Sequence, residues 1–90
     1  MELTEIPIRS PEFRLELTEN DIVLYRSADA GMIFINQPAA LIWELCDGQR
    51  SAGEIIDLLC AAYPDEVAEI PDDVLATLEN LRSQGCLEFV

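Results

Sequence analysis

Three features of this 90-residue sequence predict an α+β fold of winged-helix-like type, a three-stranded antiparallel β-meander followed by three helices. Period-two alternation of apolar and polar residues is confined to the first third of the chain, and helix start signals occupy the rest. Short polar turns separate the apolar segments. Half the residues are hydrophobic, too many for a disordered acidic tail, and the length suits one domain. A chain of this size buries roughly 60–65% of its unfolded surface, enough for one modest core but hardly for a deep catalytic cavity as well.

Residues 1–12 carry Pro7 and Pro11 and little periodicity, so they read as an extended arm ahead of a domain over residues 13–90. Phe13, Leu15 and Leu17 alternate with Arg14 and Glu16, which predicts the first strand. A polar turn over residues 18–21 leads to a second strand, Ile22, Val23, Leu24 and Tyr25. A turn over residues 28–31 leads to the third strand, Met32, Ile33, Phe34 and Ile35, and turns this short make the three a meander. The third strand has no polar member. Either both its faces are covered, or one face and a free edge are built to receive something.

Asn36 caps the first helix, with Pro38 in its first turn, and the run through Leu41, Ile42, Trp43 and Leu45 to Cys46 is apolar nearly all round. Asp47-Gly48 ends it. Ser51 and Glu54 form the S-x-x-E capping box of the second helix, which carries Ile55, Ile56, Leu58 and Leu59 and stops before Pro64. After a loop over residues 65–69, Pro71, Asp72 and Asp73 start the third helix, with carboxylates at the positive end of its dipole. Val74, Leu78 and Leu81 fall at i, i+4 and i+7 on that helix, with Leu75 and Arg82 on a neighbouring stripe. Gly85 ends it, and residues 86–90 suit a closing strand.

The composition excludes whole classes of function. Eighteen Asp and Glu against five basic residues, all arginines, give a net charge of −13. That field repels nucleic acid and anionic membrane, and the third helix offers Arg82 as its sole cation. With no histidine and no lysine, neither a Ser-His-Asp or Cys-His site nor Schiff-base or P-loop chemistry can be assembled. Cys46, Cys60 and Cys86 are odd in number, far apart and beside leucines, which suits buried thiols in a reducing compartment and no metal site. The N-terminus lacks a signal-peptide pattern and no apolar run reaches membrane-span length, so a cytoplasmic binding protein without cofactor is expected.

The run from the third strand into the first helix, Ile35-Asn36, two residues, Ala39, then an apolar helix ending in Cys46-Asp47-Gly48, resembles the PqqD-like family. These are stand-alone peptide chaperones, also called RiPP precursor peptide recognition elements. The capped second helix, Asp73-Val74 with Leu78 and Leu81, and the closing Gly85-Cys86-Leu87 continue the resemblance over residues 13–89. Cys86 departs from it, standing where members from pyrroloquinoline quinone pathways often have tryptophan, and Pro38 occupies the helix start.

What the resemblance implies is capture of a precursor's leader peptide by strand addition and its presentation to a modifying enzyme, such as a radical-SAM or lasso-type maturase. The backbone of Met32, Ile33, Phe34 and Ile35 would hold the leader, with Leu75, Leu78, Glu79 and Arg82 as the helical wall. Arg82 would grip a leader carboxylate bidentately. The competing expectation is a non-catalytic structural or regulatory interaction protein, a dimer through the same strand edge.

Overall fold

Backbone pairing at the start of the chain sets up everything that follows in the computed structural model, which describes residues 1–89. The N-terminal arm forms a short strand, β1 (Pro7–Arg9), antiparallel to the closing strand β5 (Leu87–Phe89). Val90, expected in that closing strand, lies outside the described residues. The arm is fastened along its length. Leu3 and Glu5 carbonyls accept from the amides of Gly53 and Ala52, the Pro7 carbonyl accepts from Gly48, and the Arg9 and Ser10 amides donate to Cys46 and Cys86.

The meander is as the alternation requires: β2 (Phe13–Leu17), β3 (Ile22–Arg26) and β4 (Gly31–Ile35), in spatial order β2-β3-β4 with antiparallel register throughout. Cross-strand rows such as Leu15–Leu24–Ile33 and Leu17–Ile22–Ile35 belong to one face, and Arg14–Tyr25–Met32 and Glu16–Val23–Phe34 to the other. The β3–β4 turn is held by Asp29, which accepts from both Arg26 nitrogens at 2.9 Å and from the Gly31 amide at 3.0 Å. The same contacts draw the Asp29 carboxyl below its ordinary range.

Three helices cover the inner face: α1 (Gln37–Leu45), α2 (Ala52–Ala62) and α3 (Ile70–Ser83), with a 3-10 turn (Pro64–Glu66) between the last two. Their caps are those the sequence announces. The Asn36 side chain accepts from the Ala39 amide at 2.9 Å, and Ser51 and Glu54 exchange bonds with each other's backbone at 3.1 and 2.8 Å. The core joins Phe13 and Leu24 of the sheet to Ile42, Trp43, Ile55, Leu59, Val74, Leu78 and Leu81 of the helices. Trp43 satisfies its indole N–H on the Cys86 carbonyl at 3.2 Å, so the ring is anchored at both its apolar body and its polar tip. Gly48 sits at φ +78°, where a Cβ would also come within 2.9 Å of Ile8, so only glycine fits where the arm crosses the end of α1.

Two outcomes follow from this packing. Leu78→Ala should lower stability by about 2–5 kcal/mol in urea unfolding, because the side chain is 0% exposed and its neighbours can only partly collapse. Burial pushes the Cys46 thiol up to about 12 and raises that of Cys86, whereas Cys60 is half-exposed. A thiolate reagent at pH 8 should therefore label Cys60 in the native protein, with the other two reacting only after unfolding. Rapid labelling of all three would contradict this core.

Candidate functional site

β4 is an edge strand, and among the described residues no strand pairs with its outer side. In an antiparallel ladder alternate residues direct both backbone groups to one neighbour, so half the amides and carbonyls of β4 point to open space. The edge is also apolar. Met32 and Phe34 are 56% and 65% exposed on the outer face, while Ile33 and Ile35 face inward and pack against the margin of the core, half-buried. Charges, prolines and bulges usually blunt such an edge; β4 has none of them.

The first turn of α3 shares a cleft with Gln37 and Pro38, the residues that follow β4.

The four α3 residues singled out from the sequence do not share one surface. Leu78 lies wholly inside the core. Leu75 is half-buried against the core margin. Glu79 reaches back to the N-terminal amino group of Met1 at 3.6 Å and holds Arg82 at 3.1 Å. The Arg82 guanidinium also lies over the Phe89 ring, 5.4 Å from its centroid. That stripe faces the N-terminal arm and β5. Asp73, nine residues before Arg82 at about 100° each, lies on the opposite side of the helix, in the cleft with Gln37 and Pro38.

This cleft, about 630 Å³, is the part of the surface that the sequence reading did not pick out. It lies between the start of α1, the end of α2 and the start of α3. Leu41, Ile70 and Val74 contribute apolar surface, and Glu66, Glu69 and Asp73 contribute carboxylates. Its residues come from four elements, so no local motif marks it.

Among the described residues no group of three or more His, Cys, Asp or Glu side chains is placed to hold a metal ion. No helix of the structure is long and apolar enough to cross a membrane.

Residues 21–87 match the family described as Coenzyme PQQ synthesis protein D (PqqD). The chain belongs to the PqqD family. Curated relatives agree along most of its length. The PqqA binding protein of Pseudomonas entomophila (strain L48) is 35% identical over 83 residues, 89% of this chain and 87% of the relative. That of Methylococcus capsulatus (strain ATCC 33009 / NCIMB 11132 / Bath) is 37% identical over 84 residues, 90% and 85% of the two. The match to the PqqA binding protein of Rhodopseudomonas palustris (strain BisB5) is closer, 47%, but its 49 residues span about half that relative, 48%.

Two solved structures share the fold of this PqqD family member. One is TbiB1 in complex with the TbiA(beta) leader peptide, with a TM-score of 0.71 at 21% identity, covering 90% of this chain and 94% of that one. The other is a lasso peptide synthetase B1 complexed with the leader peptide, with a TM-score of 0.73 at 22% identity, covering 92% and 98%. Cys86, the departure from the resemblance, leaves the chain within the PqqD family, and its side chain is buried in the core.

The exposed Arg82–Glu79 pair should matter little to folding. Arg82→Ala is expected to change stability by less than about 1 kcal/mol, since solvent screens the pair, and thermal unfolding of the variant checks it.

Proposed function

We propose that this protein captures the leader segment of a ribosomally made precursor peptide of the PqqA kind and presents it to a modifying enzyme, acting as a binding partner and not as a catalyst. The observation that carries this reading is the unpaired apolar edge of β4, which ends beside the cleft at the head of α3. An extended peptide that adds as a fourth strand along Met32, Ile33, Phe34 and Ile35 satisfies the backbone groups of the alternate residues that point outward, and alternate side chains drop toward the half-buried Ile33 and Ile35. The helical wall in this reading is the stripe of Asp73, Thr77 and Asn80, at i, i+4 and i+7, of which Asp73 lines the cleft. Leu78 supports that wall from beneath. Glu79 and Arg82 face the other way, toward Met1 and Phe89.

Membership of the PqqD family and relatives named for PqqA binding support this substrate class. So does the shared fold of two proteins solved with leader peptides. A radical-SAM or lasso-type maturase is the class of enzyme that would receive the presented peptide.

Titrating isotope-labelled protein with a synthetic PqqA peptide of Methylococcus capsulatus should give saturable amide shifts along residues 32–36 and in the Asp73–Thr77–Asn80 stripe. Ile33→Lys should weaken binding about tenfold or more, by placing a charge where an apolar side chain docks, whereas Arg82→Ala should leave affinity within about twofold. Concentration-dependent shifts of the same β4 amides without peptide, and none with it, would replace this reading by self-association through that edge.

A further inference from the structure

The cleft at the head of α3 opens where β4 ends. Asn36, Gln37 and Pro38 are all exposed and connect the open edge to the cleft without an intervening wall. We propose that this cleft is a second recognition subsite, taking the part of the bound peptide that continues past Ile35 and selecting an apolar or aromatic side chain flanked by lysine or arginine. The proposal rests on the reading of β4 as the docking edge.

Its chemistry comes from the lining. Leu41 and Tyr63 stay 39% and 48% exposed at a concave site whose interior is Ile70 and Val74, so an apolar side chain entering there removes surface on both partners from water. The cleft has no basic lining residue, and three carboxylates, Glu66, Glu69 and Asp73, stand in it. The first turn of α3 alone would favour an anion, but these three, with Asp72 beside them, reverse the local sign. A lysine or arginine next to the buried anchor would meet a carboxylate from either side. An acidic segment would meet repulsion in a partly desolvated site.

Direction follows from the fold. Both ladders of the three-stranded sheet are antiparallel, and a fourth strand of the same sense enters at Ile35 and leaves at Gly31. The anchor therefore lies N-terminal to the strand-forming stretch of the peptide. The strand would give affinity that depends little on sequence, and the anchor would supply selectivity by avidity over a short span.

The test uses the full chain and three synthetic peptides that share the strand-forming stretch of the Methylococcus capsulatus PqqA peptide. They differ in an N-terminal extension: tryptophan between two lysines, tryptophan between two glutamates, or alanine between two lysines. At moderate salt the first should bind about tenfold tighter than either of the others, with amide shifts at Leu41 and Val74. Glu66→Gln, Glu69→Gln and Asp73→Asn combined, all at exposed positions, should erase most of the lysine–glutamate difference. Leu41→Asp should erase the tryptophan–alanine difference.

Equal binding of all three peptides, with β4 shifts intact, would sink the subsite and leave the β4 reading standing. Discrimination that survives the triple variant would assign selectivity to the overall field and likewise overturn the subsite. Absence of β4 shifts with every peptide would remove the docking reading itself, and the subsite with it.

Discussion

A three-stranded sheet has two edges, and among the described residues the other two strands are used on each other. β1 pairs with β5, and the arm that carries β1 is fastened to the ends of α1, α2 and α3. The unmet backbone of β4 follows from that allocation. Gly48 matters here more than its position in a turn suggests, because the arm can approach the end of α1 only where a residue lacks a side chain. Trp43 completes the junction: its indole bond to the Cys86 carbonyl ties α1 to the segment that leads into β5. An edge strand left bare is normally a hazard. β2 and β4 are both left without a strand partner among the described residues, and β4 is the edge whose residues are all uncharged.

The side chains around that edge divide the work between strength and choice. Backbone groups bind any extended chain in register, so they bring affinity without discrimination. On the proposed reading, discrimination would come from side chains at the margins, from Ile33 and Ile35 as apolar seats and from the carboxylates at the head of α3. The buried part of α3, Ile70, Val74, Leu78 and Leu81, fixes the helix against the core, so these marginal groups are presented on a rigid frame.

Much of this was legible in the residues. Alternation located β2, because one of its faces packs on the core, and short apolar runs between polar turns located β3 and β4. Asn36 and the Ser51–Glu54 box located two helix starts, because capping is a local transaction between residues three apart. The pairing of β1 with β5 was not legible: three-residue strands carry no periodicity, and their partners sit at opposite ends of the chain. Nor was the facing of α3. Spacing puts Leu75 and Arg82 on a stripe beside the core residues, but which neighbour that stripe meets depends on where the arm and β5 come to rest. The cleft was hidden for the same reason, since it exists only once four elements meet.

The arginines repay a closer look as a group. Arg9 lies over Trp43, Arg14 over Tyr25, Arg26 over Phe13 and Arg82 over Phe89, and Arg50 is paired with Asp47. Every cation in the sequence is thus engaged with a ring or a carboxylate of its own chain, and most of the eighteen acids have no such partner. Seen from a distance by a diffusing chain, the molecule presents an almost unrelieved negative potential, with a reach of about 8 Å in physiological salt. Encounter rates with cationic segments should be high and should fall with ionic strength, while the lifetime of the complex is governed by short-range contacts that salt hardly touches. On the proposed reading, speed of capture and duration of hold would be separately adjustable quantities, one set by the acidic surface and the other by a single strand edge.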